Sequence, residues 1–149
     1  MAIEFSKLLS ETDKFLIPGE ANLFALCTYL RNSVPHYNWV GFYFMNDKEK
    51  MLEIGPYAGA ETEHTRIPYG RGICGQVAES GETFLVQDVN AESNYLSCSI
   101  ETKAEIVVPI YKGDKLIGQI DIDSHTRDPF TKEDELFLAA ICQKVAAVI

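Results

Sequence analysis

Apolar and aromatic positions in the first third of the chain predict a helix followed by a hairpin. Apolar residues recur at helical spacing over residues 23–34, and Pro35 ends that pattern. Residues 38–44 are dense in aromatic and β-favouring side chains, and a polar turn at 46–50 separates them from a short apolar run at 51–54. This order predicts an α-helix and then two antiparallel strands.

The middle of the chain predicts loops with little regular structure. Residues 57–80 are rich in glycine and proline, although helix-forming residues follow Gly72 and predict a short helix there. A strand is expected at 83–89, and a long polar loop at 90–103.

The last third of the chain predicts a second hairpin and a closing helix. Strands are expected at 105–111 and 115–123, joined by a loop at 112–114. Thr131 can cap the final helix, with Asp134 at its third position.

The order of these elements predicts an α+β fold, layered as α/β, in a single domain over residues 1–149. Helices are expected to pack on one face of a mostly antiparallel sheet. Loops would then cover the other face, and a cavity for a small ligand is expected between them.

Charge narrows the classes of ligand. The chain carries 13 basic and 22 acidic residues, a net charge of −9. This field disfavours nucleic acid and membrane surfaces as partners, whereas a cationic or zwitterionic small molecule is compatible with it. The sequence begins without a signal peptide and has no membrane-length apolar run, so we expect a cytoplasmic protein with reduced cysteines.

Three acidic residues form the first candidate site. Strand alternation puts Asp121 and Asp123 on one face, and Glu105 begins the neighbouring strand. This face could simply be solvated, or the acids could hold a metal ion or an ammonium group. Oxygen ligands without histidine argue against zinc, and Ca²⁺ would need more ligands from one loop, so an ammonium is favoured.

The register of the second hairpin decides whether the acids converge. A three-residue loop would pair Tyr111 with Lys115 and place Glu105 opposite Asp121. A two-residue loop would pair Glu105 with Ile122 and turn its side chain to the other face. We expect the three-residue loop, with the acids facing a cavity that Trp39 and Tyr43 line.

Cysteines and aromatic residues complete the candidates. Cys27 and Cys142 lie in apolar helical runs and are expected in the core, whereas Cys98, in a polar loop, is either incidental or a nucleophile. Trp39 and Tyr43 share one side of their strand, as a core stripe or as a wall against a methyl or ammonium group. The three histidines show no metal-binding spacing and are expected at the surface: His36, His64 and His125.

Several motifs resemble those of known proteins. The chain resembles the GAF domain in four segments: Arg71–Gly75, Glu105–Ile110, Gly118–Ser124 and Pro129–Asp134. It is similar, more narrowly, to the free methionine-R-sulfoxide reductases, which are stand-alone GAF domains, in a second set of segments: Asn38–Tyr43, Gly55-Pro56, Arg66–Gly75 and Asp121–Ser124.

The resemblance implies that the chain reduces the R epimer of free methionine sulfoxide with electrons from thioredoxin and with no bound cofactor. It implies that Cys98 is the catalytic cysteine and Cys74 its partner. It also implies substrate contacts: Glu105, Asp121 and Asp123 to the amino group, and Trp39 and Tyr43 to the methyl end.

Two departures accompany the resemblance. His64 stands where members usually have a third cysteine, and Asn94-Tyr-Leu-Ser-Cys-Ser99 replaces the usual motif around the catalytic cysteine. The alternative is a non-catalytic GAF sensor that binds a nucleotide or another metabolite. The sequence is compatible with a homodimer and does not specify the oligomeric state.

Overall fold

The computed structural model describes residues 3–96 and 100–149. Within these ranges six strands form one antiparallel sheet in the order β3-β2-β1-β6-β5-β4. The strands are β1 Trp39–Asn46, β2 Met51–Ala58, β3 Arg66–Pro68, β4 Phe84–Val86, β5 Ala104–Lys112 and β6 Lys115–Ser124. The α-helices are α1 Phe5–Glu11, α2 Leu23–Ser33, α3 Gly72–Ser80 and α4 Lys132–Val148, and short 3₁₀ turns cover Thr12–Phe15 and Val89–Ala91.

The predicted α+β class is confirmed, together with both hairpins and the helices at α2, α3 and α4. The sequence analysis missed α1 and β3. Helix α1 has no capping side chain and no buried residue, so neither signal of a helix is strong there. Strand β3 has only three residues and exists through its pairing with β2.

Each face of the sheet carries its own apolar cluster. Helices α2 and α4 pack on one face, against side chains such as Val40, Phe42 and Ile122. The other face is covered by the segment 57–80, as predicted, and the short helix predicted within it, α3, packs there against β5 and β6. The candidate site therefore lies between the sheet and α3. Within the described residues, no helix has the length and apolar character needed to span a membrane.

The start of α4 follows the sequence signal closely. The backbone N–H of Asp134 donates to Thr131 Oγ1 at 3.4 Å, and the backbone N–H of Thr131 donates to Asp134 Oδ2 at 2.8 Å. These reciprocal hydrogen bonds form a capping box. They provide acceptors for backbone N–H groups at the start of the helix that have no acceptor within the helix. The predicted cap is confirmed.

The hairpin of β5 and β6 differs from the predicted register. Lys112 pairs with Lys115, so the turn has two residues rather than three. A bulge follows: Tyr111 pairs with Leu116 and Ile110 with Gly118, which leaves one extra residue on β6. The bulge reverses the change of face that a two-residue turn would cause.

The bulge changes the partner of Glu105 but not its face. Glu105 pairs with Asp123, and the predicted pairing with Asp121 is wrong by two residues. Since a shift of two residues preserves the side-chain face, the three acids still share one side of the sheet. That part of the prediction is confirmed.

Candidate functional site

One row of cross-strand neighbours forms the centre of the candidate site. On the face covered by α3, Trp39 of β1 pairs with Asp123 of β6, and Asp123 pairs in turn with Glu105 of β5. Directly opposed residues on one face have Cβ atoms about 5 Å apart. The sheet therefore fixes an indole and two carboxylates side by side, independently of any loop.

The next row contains Asp121 and a glycine that makes room for the indole. Asp121 pairs with Gly41 on one side and with Val107 on the other. A Cβ at Gly41 would lie 2.4 Å from Trp39 Cη2, which is closer than real side chains approach. Gly41 thus lets the Trp39 ring lie along the sheet, where its Nε1–H donates to the carbonyl of Ala60 at 3.0 Å.

All three carboxyl groups are buried. Glu105 is 4% exposed, Asp121 1% and Asp123 2%. Burial raises the pKa of Asp121, and hydrogen bonds that involve Glu105 and Cys74 offset only part of that effect. Among the described residues Asp121 Oδ1 has no hydrogen-bond partner. Such an arrangement is costly by itself and favours a bound cation.

Cys74 faces the acids from the opposite layer. It is the third residue of α3, and its thiol donates to Asp121 Oδ2 at 3.3 Å and lies 3.9 Å from Glu105 Oε2. Burial, followed by the nearby carboxylates of Asp121 and Glu105, raises the pKa of Cys74 well above its ordinary value. The group is therefore a protonated thiol rather than a thiolate.

Two amide side chains that the sequence analysis did not consider hold α3 in place. Gln119 Nε2 donates to the carbonyl of Cys74 at 3.1 Å, from the same face of β6 as the acids. Asn94 Oδ1 accepts from the backbone N–H of Gly72, and Asn94 Nδ2 donates to the carbonyl of Gly70, each at 2.9 Å. The alternation along β6 could have revealed Gln119, whereas no local pattern points to Asn94.

Five of the predicted site residues line two separate cavities. The smaller, of about 10 Å³, is lined by Ile67, Arg71, Gly72, Ile73, Cys74, Leu96, Glu105 and Asp121. The larger, of about 210 Å³, is lined by Arg31, Asn38, Trp39, Ala60, Glu101, Thr102, Asp123 and His125. The first has room for about one water-sized particle, and only the second approaches the size of a site for an amino acid.

Tyr43 lies deeper than the sequence analysis expected. It is fully buried, stacks on Trp39 at 6.4 Å between ring centroids, and lines neither of these two cavities. Its hydroxyl donates to the carbonyl of His64 at 2.8 Å. In this structure Tyr43 supports Trp39 from behind, and a direct contact with a substrate methyl group remains a prediction.

The other candidates have mixed outcomes. Cys98, the predicted nucleophile, lies outside the described residues, so its predicted approach to Cys74 stays a prediction. Cys27 and Cys142 are buried in the helix-covered core, as expected. His36 is not a free surface residue, because its Nε2 lies 2.8 Å from Asp134 Oδ1 and its side chain is only 19% exposed.

Comparisons with known proteins identify the family of this chain. The GAF domain family matches residues 23–149. The free methionine-R-sulfoxide reductase of Escherichia coli is 31% identical over 146 residues, which cover 98% of this chain and 84% of that protein. The chain belongs to the free methionine-R-sulfoxide reductase family of GAF domains. The family predicted from the sequence motifs is thereby confirmed, and with it the class of protein, an oxidoreductase.

Other relatives extend the likeness. Protein YtsP of Bacillus subtilis is 38% identical over 133 residues, covering 89% of this chain and 78% of that protein. A solved structure of free methionine-R-sulfoxide reductase from Neisseria meningitidis, in complex with its substrate, is 31% identical with a TM-score of 0.80. The alignment covers 96% of this chain and 82% of the Neisseria meningitidis chain. The likeness to family members thus extends to the whole fold.

Proposed function

We propose that this chain reduces free methionine-(R)-sulfoxide to methionine, with Cys98 as the nucleophile, Cys74 as the resolving thiol and thioredoxin as the external reductant. The observation that carries the proposal is the row of Trp39, Asp123 and Glu105 across the sheet, with Asp121 in the next row. Family membership supplies the reaction class.

The acids account for a preference for the free amino acid. Buried carboxylates need a cation, and the α-ammonium group of a free amino acid provides one. In peptide-bound methionine sulfoxide the same nitrogen is a neutral amide, so binding it would leave the carboxylates without a charge to pair. Discrimination against peptide-bound methionine sulfoxide then follows from buried carboxylates that it leaves unpaired, and not from its size alone.

The cavity of about 210 Å³ is the proposed position of the substrate. Trp39 and Asp123 both line it, so a methyl group against the indole and an ammonium group at the carboxylate can be held together. Glu101 and Thr102, which follow the segment containing Cys98, line the same cavity. The first described residues after Cys98 therefore border the proposed position of the substrate.

The proposed chemistry balances in three steps. The Cys98 thiol and the sulfoxide give methionine and a Cys98 sulfenic acid, as oxygen and two oxidising equivalents pass to the cysteine sulfur. The sulfenic acid and the Cys74 thiol then form a disulfide and release water. Thioredoxin reduces this disulfide by thiol exchange and becomes oxidised itself.

Asp121 is the proposed proton acceptor for Cys74 in the second step. A protonated thiol is a poor nucleophile, and Asp121 Oδ2 already accepts its hydrogen bond at 3.3 Å. Because burial raises the pKa of Asp121, this carboxyl group accepts a proton more readily than an exposed aspartate does. Cys74 can thus stay protonated until the sulfenic acid forms.

A coupled assay tests the proposal. NADPH consumption is followed with the protein, thioredoxin, thioredoxin reductase and free methionine-(R)-sulfoxide, and methionine is measured by chromatography. We expect one NADPH consumed per methionine formed. The S epimer and N-acetylmethionine sulfoxide serve as controls and should give little turnover. Binding of a metabolite without methionine formation would instead identify a non-catalytic sensor.

A further inference from the structure

A sulfur and two carboxylates converge at the smaller cavity. Ligand atoms from Cys74, Glu105 and Asp121 all lie within 4.8 Å of one another. The sequence analysis set zinc aside because only oxygen ligands were apparent. In the structure the docking of α3 adds a thiol to the two acids, so the possible ligands are no longer oxygen atoms alone.

The distances suit a tetrahedral metal ion. Zinc binds sulfur at about 2.3 Å and carboxylate oxygen at about 2.1 Å, which sets ligand sulfur and oxygen about 3.6 Å apart. Cys74 Sγ lies 3.3 Å from Asp121 Oδ2 and 3.9 Å from Glu105 Oε2. These two sulfur–oxygen distances bracket the required one.

A second observation points to a ligand at the same place. Asp121 is 1% exposed and lines this cavity, and its Oδ1 has no hydrogen-bond partner among the described residues. The cavity volume of about 10 Å³ is close to that of one water-sized particle. The cavity therefore has room for a single ion.

We propose that Cys74, Glu105 and Asp121 form a site for a thiolate-binding divalent cation of the zinc type, and that this ion competes with the substrate ammonium group for the carboxylate of Glu105, the cross-strand neighbour of Asp123. On binding, the Cys74 thiol releases its proton to solvent and forms a sulfur–metal bond, with no change in oxidation state. The mixed sulfur and oxygen set selects zinc or cobalt over Mg²⁺ and Ca²⁺, which prefer oxygen alone. Three protein ligands leave a fourth position open. The competition rests on the proposed function, but the metal site does not.

Cobalt provides a direct readout of the metal site. Titration of the reduced protein with Co²⁺ is expected to give a thiolate-to-cobalt absorption band at one equivalent, which Zn²⁺ abolishes by displacement. Cys74→Ser should remove the band, whereas Cys98→Ser and Cys142→Ala should keep it. A band that survives Cys74→Ser, or that requires Cys98, would overturn the site.

A second variant guards against misfolding. Asp121→Asn keeps the size of the side chain and should weaken Co²⁺ binding at least about 10-fold while far-ultraviolet circular dichroism remains unchanged. Unaltered affinity in a folded Asp121→Asn protein would contradict the assignment of this ligand.

Single-turnover methionine formation tests the competition separately. The reduced protein is mixed with methionine sulfoxide and Zn²⁺ without thioredoxin, so the metal cannot act on the reductant. We expect Zn²⁺ to slow methionine formation and excess substrate to relieve this effect. Unchanged formation with metal bound would refute the competition. Absence of methionine even without Zn²⁺ would count against the proposed function alone, since the cobalt titration still reports on the site.

Discussion

At the scale of single residues, the two thiols should separate by kinetic role. Cys98→Ser should form no methionine, because it lacks the attacking sulfur. Cys74→Ser should form about one equivalent of methionine but lose turnover with thioredoxin, since the sulfenic acid cannot be resolved. Chromatography of single-turnover and multiple-turnover reactions measures both quantities.

The matched control for the thiols is Cys142→Ala, which removes a buried cysteine on the other face of the sheet. It should retain both activities. If Cys74→Ser kept full turnover with thioredoxin, a thiol other than Cys74 would have to resolve the sulfenic acid.

Asp123 offers a test of the ammonium contact. Asp123→Asn keeps the shape of the side chain but removes the charge that faces the larger cavity. Losing one charged hydrogen bond costs about 3 kcal/mol, so kcat/KM should fall on the order of 100-fold. The coupled assay measures this change. Asp114→Asn, in the exposed turn of the β5–β6 hairpin, is the control and should have no effect.

Gly41 tests whether the position of the indole matters. In Gly41→Ala the new Cβ would meet Trp39 Cη2 at 2.4 Å and should push the ring away from the sheet. We expect a red-shifted fluorescence of Trp39, the single tryptophan, and a higher KM. Overpacking of this kind costs about 1–3 kcal/mol of stability.

Gly113→Ala is the comparison for Gly41→Ala. Gly113 has φ 63°, and no atom of the described residues lies within 4 Å of a new Cβ, so substitution strains the turn without touching the indole. Stability should fall while the emission maximum stays fixed. An unshifted maximum in Gly41→Ala would show that the ring tolerates the added atom.

At the scale of elements, the cap of α4 predicts how stability depends on pH. Burial raises the pKa of Asp134, but bonds from His36, the backbone of Thr131 and Tyr37 outweigh it, and the net pKa is lowered. A lowered folded-state pKa stabilises the protein above the unfolded value of about 3.9, and this contribution is lost as the pH falls through the folded value.

Asp134→Asn should therefore cost on the order of 2 kcal/mol at pH 7, and the difference from the wild type should shrink below about pH 4. Urea unfolding at several pH values measures the free energy. The control is Glu133→Gln in the same turn, which is exposed and should change stability by less than about 0.5 kcal/mol. A difference that persists at low pH would mean that the charge of Asp134 contributes little.

The same scale shows why some elements were predictable. Thr131 and Asp134 are three residues apart, so the capping box can be recognised from the sequence alone. The face shared by Asp121 and Asp123 follows from alternation within one strand. The only local signal of the bulge at β6 is the isolated Gly118 next to Ile117, and the register was mispredicted because that glycine was not interpreted as a bulge.

At the scale of the whole molecule, the site depends on contacts between distant segments. Cys74 meets Asp121 only because α3 docks on the sheet, and Asn94 fastens that helix from yet another segment. No local pattern encodes these distances. The sequence therefore indicated which residues to consider, while their division between a small and a larger cavity came from the fold.

The bulge in the β5–β6 hairpin also sets how this strand tolerates changes in length. Ile117 is the extra, unpaired residue between the turn and the acids. It precedes Gly118, the first β6 residue in chain order that pairs with β1, so the pairing with β1 does not include it. Deleting it would leave a regular ladder in which Glu105 still meets Asp123. Adding one residue there would demand a second bulge or turn the acids towards the helix-covered core. We therefore expect the protein without Ile117 to retain methionine sulfoxide reduction, whereas insertion of one residue at the same place should abolish it. The strand thus tolerates a shorter segment between turn and acids but not a longer one, because one of its residues is unpaired.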